Sequence, residues 1–296
     1  MPAVRIRALT REDLKAATAL CARALAYDHV TQSLLHEKLF EDPPGEVSDA
    51  FGAWEGETLV GLVGLCAAGP TAWIKLAAAD PAGRRRGISS AMVAEAEGWA
   101  RKQGALTLRL MDHPGNYLTP GMDVRYAEAI EFLARRGFAV ASENKNLLVP
   151  LPPMAPGSTP SSAPGAPHYE LRRARQADGE AVARLARTFS VAWAYEVERA
   201  MDQSTPMVHL ASQRGELAAF AAHGGNNRGT GSFGPAATLD AHRGRGLGQA
   251  LLRACLADIG KAGHAGAIIP WVSKTTLYAR LGAIEGARYR VLVKAL

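Results

Sequence analysis

The apolar positions of this chain change period several times, and the changes fall in the same order in its two halves. Val4-Arg5-Ile6-Arg7 alternates as a strand does, and Tyr169-Glu170-Leu171-Arg172 alternates likewise. Behind the first, Thr10-Arg11-Glu12-Asp13 caps a helix with apolar positions at Leu14, Ala17, Leu20, Cys21 and Leu25. Behind the second, Ala177-Asp178 leads into Val182, Leu185, Ala186 and Phe189. A hairpin follows in each half. Ala50 to Trp54 turns at Glu55-Gly56-Glu57 into Leu59 to Cys66, and Met207 to Ser212 turns at Gln213-Arg214-Gly215 into Leu217 to His223. A further strand, Thr71–Ala79 or Gly231–Leu239, runs into a glycine-bearing turn and a helix ending at Gly104 or Gly263. A last pair of strands, Ala105–Met111 and Gly266–Trp271, precedes a short helix and a closing strand. Strands outnumber helices, and helices fall on both faces. The pattern predicts an α+β (α/β layered) domain occurring twice.

The repetition is literal around the turn. Arg84 aligns with Arg243, Gly87 with Gly246 and Gly104 with Gly263, all at an offset of 159 without a gap. A copy this long is a whole domain, not a solenoid unit. The halves differ once: Gly104 to Gly137 spans 33 residues and Gly263 to Gly282 spans 19, which leaves 14 extra in the first half. These lie at about His113 to Tyr126 and are expected to overhang the cleft beside the turn. Between the halves, Pro150 to Pro167 reads PLPPMAPGSTPSSAPGAP, a tether too poor in bulky apolar groups to build a core. Fully extended it would reach about 55 Å. The expected organisation is therefore a domain over 1–149, a Pro/Ser/Gly-rich linker over 150–167 and a domain over 168–296.

Composition changes this picture little. The chain of 296 residues is 48% hydrophobic and 21% charged, as soluble globular proteins are. Leu59 to Ala68 is the longest apolar stretch and is too short to span a bilayer. Met1 to Thr10 has no apolar run behind it, so no signal peptide is expected. Cys21, Cys66 and Cys255 form no CxxC pair, which points to buried thiols in a reducing cytoplasm; no metal centre is expected. The net charge of +6 favours phosphate-bearing partners. The arginines are scattered rather than interleaved with aromatics, which argues against a nucleic-acid surface. No membrane partner is expected either.

The chemistry concentrates in the repeated turn. A glycine turn at a helix start exposes backbone N–H groups and the positive end of the helix dipole. Gly246 and Gly248 let a ligand approach the backbone, and Arg243 and Arg245 add charge at the rim. This is a site for a pyrophosphate, but neither a Walker loop nor a GxGxxG fingerprint.

Thr238-Leu239-Asp240-Ala241-His242-Arg243-Gly244-Arg245-Gly246-Leu247-Gly248 resembles the acetyl-CoA pyrophosphate motif of the GNAT N-acetyltransferase superfamily. Leu277-Tyr278-Ala279-Arg280-Leu281-Gly282 is similar to the family's downstream tyrosine segment. In the first half, Asp80-Pro81, Arg84 to Ser89 and Arg135-Arg136-Gly137-Phe138 match the same two motifs. The resemblance covers nearly the whole chain as two tandem modules. It implies that each module is a mixed, largely antiparallel sheet flanked by helices. It also implies acetyl-CoA as co-substrate and a small-molecule amine as acceptor, without metal. The cofactor-binding residues so implied are Ala237, Thr238, Arg243, Gly244, Arg245, Gly246, Leu247 and Gly248. Their counterparts are Ala79, Arg84, Arg85, Arg86, Gly87, Ile88 and Ser89. Tyr278 takes the position of the residue that protonates the departing thiolate.

Two departures shape the expectation. Neither Thr71–Ala79 nor Gly231–Leu239 carries a carboxylate, so the usual strand-borne base is missing, and Glu196, Glu198, His223 or a water chain remain open. In the first half Leu133 takes the tyrosine position and cannot donate a proton, although Tyr117 or Tyr126 could substitute. Catalysis is therefore expected in the C-terminal module. The alternatives are a catalytically degenerate CoA-binding scaffold and a mycothiol-synthase-like acetyltransferase, which also looks like two such modules. A monomer (an internal pseudo-dimer) or a homodimer is expected.

Overall fold

The computed structural model describes residues 4–83, 85–151, 168–272 and 276–296. The chain forms two compact units, Met1–Asn144 with Ala287–Leu296 and Lys145–Gly286. Most of the expected tether lies outside the described residues.

The first unit contains β1 (Arg5–Ala8), α1 (Leu14–Ala24), α2 (Gln32–Phe40), β2 (Val47–Glu55), β3 (Thr58–Ala68) and β4 (Thr71–Ala79). It continues through α3 (Ile88–Lys102), β5 (Thr107–Leu110), β6 (Met122–Asp123), α4 (Ala127–Ala134) and the beginning of β7 (Ala139–Pro150). Strands β1 to β4 form an antiparallel meander, and β5 adds parallel to β4. Nine consecutive positions of β3 are buried, because helices cover both faces of the sheet. On one face Leu14, Leu20, Leu35 and Leu39 pack over Leu62 and Leu76. On the other, Ile88, Met92, Ala96 and Trp99 of α3 pack over Val63, Ile74 and Leu108.

The second unit repeats the plan with β8 (Glu170–Arg173), α5 (Gly179–Arg187), α6 (Val191–Met201), β9 (Val208–Gln213), β10 (Glu216–His223) and β11 (Phe233–Thr238). There follow α7 (Leu247–Lys261), β12 (Gly266–Ile269), α8 (Thr276–Ala279) and β13 (Ile284–Ala295). Strands β8 to β11 are antiparallel, and Ser232 bridges Ile268 of β12 in parallel. Val197, Ala200, Leu210 and Phe220 fill the layer under α5 and α6, while Leu251, Leu252 and Cys255 of α7 fill the other.

Each unit takes strand residues from the other half of the chain. In the first unit, Val293 of β13 pairs with Arg109 and Ala295 with Thr107, antiparallel to β5. In the second, Leu147 to Pro150 of β7 pair with Ile269 to Gly266 of β12. Pro150 thus ends a strand, and Leu151 donates its N–H to Ala265. The 14-residue insertion adds β6, whose Met122 and Asp123 pair with Arg290 and Tyr289.

The junction of first strand and first helix is built alike in both units. Arg7 grips both oxygens of Asp13 at 2.8 Å, and Arg172 grips those of Asp178 at 2.7 and 2.9 Å. Each aspartate also accepts the N–H three residues before it. These donors hold the carboxyls of Asp13 and Asp178 down at about 2.

Candidate functional site: a splayed strand and a left-handed turn

Strand β4 carries one residue too many. Ile74 faces Leu65 and Leu76 faces Gly64, so Lys75 stands as a bulge. In β11, Ala236 faces Ala221 and Phe233 faces His223, so Gly234 and Pro235 stand against Ala222. Lys75 and Gly234 occupy the same repeat position, 159 apart. A bulge bends its strand and interrupts pairing. Accordingly β4 follows β5 only from Thr71 to Ile74, and β11 is an edge of its antiparallel sheet.

The strand ends thus present one open edge. Asp80 donates its N–H to Val60 at 2.8 Å, and Leu239 donates to Ala218 at 2.9 Å. By antiparallel alternation, Ala79 and Thr238 turn their polar groups away from the hairpin partner, whereas Ala237 turns toward β10. The open edge is where an extended, amide-bearing ligand can add as a strand does.

Behind each strand end comes a 3₁₀ turn, Pro81–Gly83 or Asp240–His242, and then two left-handed residues. These are Arg85 (φ 63°) and Gly87 (φ 81°) in the first unit, and Gly244 (φ 76°) and Gly246 (φ 79°) in the second. Gly87 and Gly246 are the N-caps of α3 and α7, both 15 residues long. Neither cap contributes a side-chain hydrogen bond. The first-turn N–H groups have no carbonyl one turn earlier and point outward with the positive end of the helix. A Cβ on Gly87, Gly244, Gly246 or Gly248 would meet nothing within 4 Å. At Gly244 and Gly246 positive φ explains the glycine. At Gly248, which is helical, neither φ nor crowding does.

The side chains divide by direction. Ile88 and Leu247 are 3% and 2% exposed and belong to the cores, so only their N–H groups face the turn. Ser89, Arg85, Gly87, Gly244 and Gly246 are exposed. Arg86 is paired with Glu55. Arg243 reaches Asp240 at 2.8 Å and the carbonyl of Thr238 at 3.3 Å, and Arg245 lies over the ring of Tyr169. Arg84 lies outside the described residues.

Tyr278 on α8 stacks edge to face with Phe233, the residue before the β11 bulge, with ring centroids 6.5 Å apart. Burial pushes its phenol above the ordinary value, which keeps the proton on at neutral pH. In the first unit Leu133 is a core residue of α4. Tyr126 donates its hydroxyl to Asp28 at 2.8 Å and accepts the N–H of Tyr27. Burial raises both Tyr126 and Asp28.

The base candidates separate. Glu198 is paired with Arg187 at 3.0 Å on exposed surface. Glu196 is 5% exposed on α6. His223 lies 3.4 Å from Asp258 of α7, which also binds His209 at 2.6 Å and Arg173 at 2.5 Å. Burial opposes ionisation of Asp258, but these donors hold it well below the usual carboxylate range. Thr71–Ala79 carries no carboxylate but does carry Lys75, which is wholly buried and bonds Asp42 at 2.5 and 2.6 Å. A charge in the middle of an apolar strand was the signal.

The profile of the acetyltransferase (GNAT) family matches twice, over residues 11–117 and 173–283. No curated protein sequence matches the chain. Among solved structures, the GCN5-related glucosamine N-acetyltransferase region of a fungal multi-domain GH3 β-N-acetylglucosaminidase superposes with a TM-score of 0.79 at 14% identity. That match covers 99% of this chain and 38% of the fungal one. A tandem GNAT protein from the clavulanic acid biosynthesis pathway superposes at 0.72 with 20% identity, covering 99% and 98% of the two chains. A GCN5-related N-acetyltransferase from Sphaerobacter thermophilus gives 0.70 at 16% identity, over 99% and 95%. The two profile matches bracket the two left-handed turns, and the chain belongs to the GNAT acetyltransferase family as a tandem pair of its modules.

Proposed function

We propose that the protein transfers the acetyl group of acetyl-CoA to a primary amine of a small-molecule acceptor, with catalysis in the second unit. The observation that carries this reading is the conjunction at α7: an open strand edge, a cap of two left-handed glycines, and a phenol held protonated beside the bulge. The N–H groups of Leu247 and Gly248 would hold a pyrophosphate, with Arg243 and Arg245 at its rim. The open edge at Ala236 and Thr238 would orient the pantetheine arm and offer an N–H to the carbonyl oxygen as it gains charge.

The chemistry supplied by the co-substrate is an activated thioester. The amine nitrogen forms a bond to the carbonyl carbon, and the carbon–sulfur bond breaks. Tyr278 gives its proton to the departing sulfur. The proton lost by the amine passes to Glu196, to His223 or to water, with the fixed positions of both reactants supplying most of the acceleration. Glu198 is committed to Arg187. In the first unit Leu133 has no proton to give, so that turn is proposed to bind without turnover.

Calorimetric titration with acetyl-CoA tests the reading first. One or two sites per chain are expected, and a Gly246→Val substitution should abolish the site in the second unit. Absence of heat at millimolar acetyl-CoA would overturn the assignment.

A further inference from the structure

Away from the turn, the first unit holds a buried polar cluster that the transfer reaction does not use. It gathers Asp42 from the segment after α2, Glu46 just before β2, Cys66 from β3 and His113 from the insertion. One donor atom from each lies within 4.8 Å of every other. His113 Nε2 is 2.7 Å from Glu46 Oε2, Cys66 Sγ is 3.0 Å from that oxygen, and Sγ is 3.4 Å from Nε2. A tetrahedral shell with metal–nitrogen and metal–oxygen bonds near 2.0 Å and a metal–sulfur bond near 2.3 Å has edges of about 3.3–3.5 Å. The three distances among Glu46, Cys66 and His113 are shorter than those edges by about 0.1–0.6 Å, so an ion would spread these donors apart. We propose that Asp42, Glu46, Cys66 and His113 form a structural site for a divalent transition-metal ion, with zinc the best fit.

Three features favour a cation over a plain hydrogen-bond network. The first is donor chemistry: one thiol, one imidazole and two carboxylates suit zinc, whereas calcium and magnesium take oxygen alone. The second is charge. The carboxylates of Asp42 and Glu46 converge on the cluster, with Lys75 2.5 Å from Asp42, and Cys66, His113 and Lys75 are all 0% exposed. Carboxylates brought together out of water need cationic partners. The third is His113 itself, wholly buried with Nε2 turned to Glu46 Oε2 at 2.7 Å and Cys66 Sγ at 3.4 Å, so the nitrogen that would ligate already points among the other donors.

The surroundings support the donors. Asn116 donates its amide to Asp42 at 2.9 Å and to the carbonyl of Glu37 at 3.0 Å, and it accepts from Lys38 at 3.1 Å. On binding, the ion displaces the Cys66 proton to solvent, no electron is transferred, and the insertion becomes fixed to β3. The absence of any CxxC pair hid the site, because its four donors come from four separate segments.

The test uses the full chain, purified without chelator and with any histidine tag removed. Elemental analysis should find about one zinc per chain. Cobalt(II) added to chelator-treated protein should give d–d bands of a tetrahedral site and a thiolate-to-cobalt charge-transfer band. Cys66→Ser should lose the charge-transfer band, and His113→Ala the bound metal. Asn116→Ala should weaken binding by about 10–100-fold, as loss of an outer hydrogen bond does. Because His113→Ala could unfold the unit, the cobalt spectrum of the unmodified protein decides on its own. Less than about a tenth of an equivalent of metal, with no cobalt bands, would overturn the proposal. So would binding that survives in both Cys66→Ser and His113→Ala.

Discussion

Gly248 is the residue that separates scaffold from ligand. It sits in the first turn of α7 with ordinary helical φ, and a Cβ there meets nothing within 4 Å. Gly248→Ala should therefore raise stability, by about 0.5–1 kcal/mol, in thermal unfolding. The same substitution should weaken acetyl-CoA in calorimetry if, as proposed, the phosphates sit against the first turn of α7. Stability gained with affinity unchanged would mean that the glycine serves no ligand. Tyr278→Phe makes the complementary prediction: kcat should fall by about 10²–10⁴-fold while the affinity for acetyl-CoA holds. Unchanged kcat would remove the acid role from Tyr278. At this scale the positive φ of Gly246 was readable, whereas the second left-handed glycine is Gly244 and not the expected Gly248. Arg85 was not readable, for it takes φ 63° as an arginine, a conformation no local pattern predicts. The partners of Lys75 and His113 were hidden for another reason: Asp42 and Glu46 lie 33 and 67 positions away.

Among elements, the junctions of strand and helix bear the clearest energetic signature. The carboxyls of Asp13 and Asp178 lie near 2 in the folded chain, below the ordinary value of 3.8. A depressed carboxyl stabilises above its unfolded pKa and loses that contribution as pH falls through the folded one. Stability should therefore decline from about pH 4 to about pH 2, as both pairs are lost. Asp13→Asn and Asp178→Asn should lower the melting temperature at pH 7 and leave the mutants less sensitive to acid. Equal acid sensitivity in mutant and parent would refute the account. The long helices were legible from end to end, since glycine punctuates both termini: Gly87 and Gly104 about α3, Gly246 and Gly263 about α7. The bulges were not. Lys75 and Gly234 reveal themselves only through the register of the neighbouring strand, which is set by pairing and not by the strand's own letters. Strand β6 escaped for the same reason, as its partner comes from the far end of the chain.

For the molecule as a whole, the proline-rich tract from 150 to 167 invited a simple cut, and composition supports no other. The units follow strand pairing instead, because hydrogen bonds between β12 and Leu147–Pro150, and between β5 and Val293–Ala295, outrank chain order. A protease site engineered between 156 and 163 should therefore yield two fragments that elute together in size exclusion. Separate elution would show that neither strand is needed. A fragment of 1–149 alone should be aggregation-prone, lacking Tyr289, Val291 and Leu292, which are 5%, 0% and 1% exposed. The position of those residues also governs how the protein can be born. Domains ordinarily fold from the N-terminus as they leave the ribosome. Here the first unit waits for a strand that is translated after all of the second unit, and it cannot close its sheet until residues 287–296 have emerged. The edge of β5 stays uncovered through that interval, which leaves the N-terminal half open to strand pairing with other chains.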